Sequence, residues 1–172
     1  ATSKIYNDQD LFCIQTLGFR GEAIPSIASI SHFVLKTSDG NQGSTVIYEF
    51  GKFIEQKQSD LNRGTNISVS KLFQNVPARL KYIKSVNAEF AHIQNYVERL
   101  SLSHPDIAFT LIHNDKTTYK TNGNGNLLEV IHQIYGLSVV KNMLNLKAGN
   151  DEFQIEGFIG KIEVNRASKN HI

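Results

Sequence analysis

The sequence predicts an α+β fold in two parts, on three observations. Residues 31–70 alternate apolar and polar side chains with period two between turn-forming clusters, the mark of antiparallel strands. Phe90, Ile93, Val97 and Leu100 recur at intervals of three and four, the mark of a long amphipathic helix. Beyond that helix the signals repeat in the order hairpin, helix, hairpin, which describes a second, two-layer unit. A length of 172 residues holds one ordinary domain or two small ones, and 40% hydrophobic content suffices for a real core.

In chain order, GFRGEAI (Gly18 to Ile24) comes first, with Pro25 closing the entry to a helix that carries Ile24, Ile27, Ala28 and Ile30. Two glycines bracket Arg20 and free the backbone to turn sharply. The amides of Gly21, Glu22 and Ala23 are then the expected open donors of a helix N-terminus, a setting that suits phosphate. An ordinary glycine loop with Glu22 favoured by the helix dipole is the competing reading, and the residues alone leave both open.

Phe33 and Leu35 alternate with Val34, a polar turn spans residues 38–43, and Val46, Tyr48 and Phe50 alternate up to Gly51, which together predict an antiparallel meander. Phe53-Ile54 opens a further short strand. Thr65 to Ser70 is a β-branched strand of which helices should cover one face, the helix after Gly21 being one candidate. Pro77 starts a new helix near Ala78, and the boundary between the two parts falls between Arg79 and Ser85.

Asn87 is the expected N-cap of the long core helix, which ends before His104-Pro105. Residues 107–113 and 117–121 form a hairpin about Asn114-Asp115-Lys116. The tract 122–126 reads as a loop rather than a phosphate cradle, with Asn126 capping a helix from Leu127 to Tyr135 that Gly136 stops. Met143 to Lys147 pairs with Phe153 to Gly160, and residues 165–172 bring no closing element.

Several function classes have no support. The formal charge of +2, with Lys and Glu interspersed, neither requires nor excludes nucleic acid. Six scattered histidines show no metal-ligand spacing, and nucleophile-elbow and Walker patterns are absent from the sequence. Cys13, between Phe12 and Ile14, reads as a buried inert thiol, in keeping with a reducing, cytoplasmic setting. The sequence has no apolar run of membrane-spanning length and no leader pattern at its first residues.

Three blocks carry a family resemblance: Ala1-Thr2-Ser3-Lys4-Ile5, Leu17 to Ala23, and Gly64-Thr65 through LFQNVPARLKYI (Leu72 to Ile83). In order and spacing they resemble the N-terminal ATPase region of the MutL mismatch-repair family, of the GHKL superfamily, where the blocks read HATSKI, GFRGEAL and GTxVxVxxLFxNxPARxKFL. Here the leading His is absent, Ile24 replaces Leu, and Tyr82-Ile83 replaces Phe-Leu.

The resemblance implies the C-terminal part of a Bergerat-type α/β sandwich over residues 1–80. Over 81–172 it implies a two-layer α+β transducer domain, incomplete at its C-terminus and similar to ribosomal-protein-like second domains. It also implies an ATP lid that includes Thr2, Ser3, Lys4, Gly18, Phe19, Arg20, Gly21, Glu22 and Ala23, and an adenine pocket with Thr65 on its strand. Arg20 either faces phosphate or fastens the lid. The family's catalytic Glu, metal-holding Asn and adenine-contacting Asp are expected before Ala1, and its γ-phosphate Lys after Ile172.

On this reading the parent protein is an ATPase using ATP and Mg. It works with DNA and a MutS-type mismatch-recognition protein, forms a homodimer, and does not involve membrane; the fragment alone is expected to be inactive. The alternatives are another GHKL ATPase, topoisomerase-like, or a non-catalytic DNA- or protein-interaction module. The module would act through Lys81, Lys84, Arg99 or the end from Lys161 to Lys169, positions that a solvated basic surface also explains.

Overall fold

A computed structural model describes residues 4–14 and 16–164, and the chain divides into two compact units after Lys84. Thr2, Ser3 and residues 165–172 lie outside the described residues.

The first unit is built on four antiparallel strands, β1 (His32–Ser38), β2 (Gly43–Glu49), β3 (Lys52–Gln58) and β4 (Gly64–Ser70), in the order β3-β2-β1-β4. The expected meander holds for β1 to β3, and β4 returns to the free edge of β1. Phe33, on central β1, is 2% exposed and anchors this core. Register sets Phe33 opposite Tyr48 and Val69, Leu35 opposite Val46 and Ile67, and Thr37 opposite Ser44 and Thr65. Side chains alternate along a strand, so these nine residues share one face, apolar over most of its length and hydroxylic at one end. Phe53 and the bulged Ile54 continue the apolar part opposite Tyr48, whose ring Phe53 meets edge-on at 5.7 Å.

Phe50 is not a strand residue. Its φ of 48° and that of Gly51, 82°, make a two-residue turn of the mirror-image kind that matches strand twist. Cover for β4 does not come from the helix after the glycine loop. That helix, α1 (Ala23–Ala28), packs against β1, and every residue of β4 is exposed, Ile67 to 50%.

From the last residue of α1 onward, four successive carbonyls accept hydrogen bonds from distant parts of the unit. Ala28 O takes the Gly51 amide at 2.9 Å, Ser29 O the Asn75 side-chain amide at 3.1 Å, Ile30 O the Phe73 amide at 2.8 Å and Ser31 O the Phe50 amide at 2.9 Å. Residues 71–76 thus strap back from β4 before α2 (Pro77–Leu80), a single helical turn opened by Pro77 at its first position. The Arg79 guanidinium lies 5.2 Å from the centre of the Phe73 ring.

On the polar face, Glu49 accepts from Lys71 Nζ at 3.0 Å and stands 3.9 Å from His32 Nδ1, a buried nitrogen without a hydrogen-bond partner among the described residues. The Lys71 hydrogen bond first, and its charge second, hold the Glu49 carboxyl below the usual carboxylate range. A carboxyl depressed in the folded state contributes stability above that range and loses it as pH falls through it. The acid side of a melting-temperature profile should therefore be shallower for Lys71→Met than for the unsubstituted chain. Equal slopes would show that the pair adds nothing to acid sensitivity.

The second unit runs α3 (Val86–Ser103), β5 (Thr110–His113), β6 (Lys116–Lys120), α4 (Leu127–Tyr135), α5 (Leu137–Val140), β7 (Met143–Gly149) and β8 (Gln154–Gly160). β5 pairs with β6 and β7 with β8, each antiparallel. Ser85, not Asn87, caps α3: its hydroxyl accepts from the Ala88 amide at 3.3 Å. Of the predicted stripe, Phe90, Val97 and Leu100 are half-buried and Ile93 is exposed. The fully buried residue of α3 is Ser101, whose hydroxyl meets the Tyr119 hydroxyl at 2.7 Å and donates to Glu98 O. Burial pushes the Tyr119 phenol upward, against the opposing effect of Ser101.

Asn114 and Asp115 supply the left-handed pair of the β5–β6 turn, and Phe90 stacks on the His113 ring at 4.1 Å. Val130 and Ile131 of α4, Val139 of α5 and Thr121 are the other buried residues among those described in this unit.

Candidate functional site

The glycine loop is exposed from Thr16 through Ile27. Its two glycines do different things. Gly21 sits at φ 71°, a left-handed conformation that favours glycine, whereas Gly18 has open space where a Cβ would stand and is not in that region. Thr16 Oγ1 closes the start of the loop by donating to Gly18 O at 3.0 Å.

The expected helix begins later and ends sooner than its apolar spacing indicates. Glu22 is the N-cap residue, without a side-chain capping bond, and Ile30 lies past the helix end at Ser29. The amides that helix geometry leaves open in the first turn are accordingly those of Ala23 and Ile24, since Pro25 has none and the Ser26 amide donates to Glu22 O. Glu22 is thus not a first-turn carboxylate; it accepts from Arg20 Nε at 3.0 Å. Both side chains are largely solvated, so the pair contributes little stability, but it gives Arg20 a partner within the loop.

Upstream, the structure adds a feature for which residues 6–12 carried a readable signal. Asn7 and Asp10 form a reciprocal cap on a 3-10 turn, Asp8–Phe12. Asn7 Oδ1 accepts from the Gln9 and Asp10 amides, and Asp10 Oδ2 accepts from Tyr6 and Asn7. Those backbone donors hold the Asp10 carboxyl below its usual range. Lys4, Tyr6, Asp10, Cys13 and Thr16 border an open hollow of about 310 Å³. Cys13 is exposed, not buried: the short turn leaves Leu11, Phe12 and Ile14 exposed as well, so the apolar run around the thiol does not form a core.

Thr65, near the start of β4, lies at the hydroxylic end of the sheet's apolar face, with its Oγ1 3.1 Å from Thr37 Oγ1. The hydrogen bonds and ion pairs of the described residues join Thr65 to Thr37 and Arg20 to Glu22, and connect neither pair to the other. No local sequence signal marks Thr37, because only the pairing of β4 with β1 makes it a neighbour of Thr65.

The tract 122–126 is a loop, as expected. The Asn122 and Asn124 side-chain amides both donate to the Glu129 carboxylate, and Asn126 Oδ1 caps α4 through the Glu129 amide. The pocket left there is about 10 Å³, room for about one water molecule. Among the described residues no group of His, Cys, Asp and Glu is placed to hold a metal ion, and no helix is long and apolar enough to cross a membrane.

Solved structures define the class. The chain is similar to the MutL ATPase domain of Aquifex aeolicus complexed with ADP, with a TM-score of 0.67 at 23% identity over 83% of this chain and 56% of that one. It is also similar to the N-terminal domain of a DNA repair protein, with a TM-score of 0.74 at 22% identity over 91% of this chain and 54% of that one. At such identities the likeness establishes the fold, the mixed α/β arrangement with antiparallel sheets of MutL ATPase domains.

Sequence then supplies the family. The chain is 51% identical over its whole length to the DNA mismatch repair protein MutL of Listeria innocua serovar 6a and 47% identical to that of Anoxybacillus flavithermus. It spans 29% and 28% of those proteins, under a third of their length. No family model matches the chain. The chain belongs to the MutL family.

Proposed function

We propose that this chain is the lid and inner-sheet portion of the ATP-binding domain of a MutL-type mismatch-repair protein, followed from about residue 81 by the beginning of its transducer domain. The observation that carries the reading is the sheet face on which Leu35, Val46, Ile67 and Val69 lead to the hydroxyls of Thr37 and Thr65. An apolar wall ending in fixed polar groups is what a purine site requires.

Lys4, Gly18, Phe19, Arg20, Gly21, Glu22 and Ala23 then form part of a lid over the phosphates, together with Thr2 and Ser3. The left-handed Gly21 and the exposure of the whole loop support a segment able to change its path. The Arg20–Glu22 pair supports a fastening role for Arg20 in the structure described. ATP, when bound, supplies the free energy of lid closure. Magnesium is assigned no ligand within this chain.

The parent protein binds ATP with Mg, pairs with a second copy, and couples recognition of mismatched DNA by a MutS-type protein to strand processing in the cytoplasm. The identity to curated MutL proteins and the fold shared with an ADP-bound MutL ATPase domain support this reading.

Hydrogen exchange on the full-length parent tests the proposal. Residues 17–23 should exchange fast without nucleotide and gain protection with a non-hydrolysable ATP analogue, while β1 and β2 exchange slowly in both states. Gly21→Val, which places a β-branched residue at φ 71°, should remove the nucleotide-dependent protection. A loop already protected without nucleotide would make GFRGEA a rigid turn and overturn its role as a lid.

A further inference from the structure

We propose that Thr37 is a positioning residue that fixes the polarity of the Thr65 hydroxyl, and so takes part in discriminating adenine from guanine nucleotides. The inference rests on the reading of Thr65 as a base contact. Thr37 and Thr65 face each other in the β1–β4 register, their hydroxyl oxygens 3.1 Å apart, and Thr37 Oγ1 also lies 3.4 Å from Gly64 O.

A threonine hydroxyl has one proton and two acceptor lone pairs. If Thr37 gives its proton to Gly64 O, it accepts the Thr65 proton, and Thr65 offers a ligand only lone pairs. If Thr37 donated to Thr65 instead, Thr65 would keep both its proton and one lone pair and would serve either purine. The contact of Thr37 Oγ1 with Gly64 O selects the first arrangement, in which Thr65 is an acceptor only, and that matters because the two purines carry opposite groups on the edge in question. Adenine presents an amine donor beside a ring acceptor; guanine presents a carbonyl acceptor beside a ring donor. A hydroxyl of fixed polarity tells them apart, whereas one that turns freely serves both.

Thr37 holds its place by backbone pairing to both neighbours, to Ser44 on β2 and to Thr65 on β4, so its side chain is not required for the strand to form. Valine at this position keeps the branched shape and removes the hydroxyl.

The experiment measures equilibrium binding of ATP and GTP analogues to the full-length parent protein and to its Thr37→Val, Thr37→Ser and Thr65→Val variants. Thr37→Val should reduce the ATP-to-GTP affinity ratio by about five- to tenfold, the scale of one hydrogen bond. Thr37→Ser, which restores the hydroxyl, should keep the ratio. A merely structural role for Thr37 would weaken both nucleotides equally and leave the ratio unchanged, which overturns the inference. An unchanged ratio in Thr37→Val beside a clear loss of ATP binding in Thr65→Val would reject the role of Thr37 and leave the nucleotide reading standing. Undiminished binding by Thr65→Val, or no nucleotide binding by the unsubstituted protein, would remove the underlying reading and this inference with it.

Discussion

Gly123→Ala is expected to destabilise the second unit by more than about 3 kcal/mol. Gly123 sits at φ 66°, and a Cβ built there would come within 2.4 Å of the Ala108 amide nitrogen and 2.8 Å of the Ile107 carbonyl carbon. Neither atom belongs to a flexible side chain, so the backbone at residues 107–108 must move. The left-handed conformation alone costs an L-residue about 1–2 kcal/mol. Displacing residues 107–109 also strains the two hydrogen bonds of Thr121 Oγ1, accepted from the Phe109 amide at 2.9 Å and donated to Ile107 O at 3.3 Å, each worth about 1 kcal/mol.

Gly125 provides the internal comparison, since it too is left-handed, at φ 78°, but has nothing within 4 Å of its would-be Cβ. Gly125→Ala should show the conformational cost alone. Urea unfolding followed by probes in α4 compares the two, and equal losses would mean that the close approach at residue 108 carries no free energy.

Phe33→Ala is the counterpart in the first unit, with an expected loss of about 3–5 kcal/mol, the usual range for removing a buried phenyl ring. Phe33 is the largest of the fully buried side chains, on the central strand, opposite Tyr48 on one side and Val69 on the other. The other large apolar residues on its face are at least partly accessible, so they have few contacts to replace the ring. Phe33→Leu should retain most of the stability. A Phe33→Ala chain whose unfolding midpoint moves no more than that of Phe33→Leu would show that the core of this unit is centred elsewhere.

How far the fold was legible follows the range of each signal. Asn126 as N-cap, Gly136 as stop and the Asn114-Asp115 turn were all readable, because each is decided within a few residues by side-chain chemistry or by tolerance of positive φ. Ser85 caps α3 in place of Asn87 because two plausible caps stand two residues apart and only the geometry of the first turn decides between them. The exposure of Cys13 has no sequence signal, because an apolar run says nothing of what packs against it. The crossover that sets β4 beside β1 and not β3 left no local trace, and with it went Thr37, the partner of Thr65. Of the candidate site, the glycine motif was legible as a motif. That Gly21 needs its glycine and Gly18 does not was visible only in the backbone angles.

The four carbonyls from Ala28 to Ser31 give the glycine loop a mechanical character. Together they form a fulcrum: the chain is pinned at one end of α1, and α1 itself is a lever arm about 9 Å long. A displacement of residues 18–22 that turned α1 against β1 would load the bonds from the Phe50-Gly51 turn and from the strap 71–76 in parallel. Bonds loaded in parallel resist together, so small swings of the arm are elastic and leave the sheet in register. Four successive carbonyls on one short stretch thus tie the glycine loop's anchor to both the Phe50-Gly51 turn and the strap 71–76.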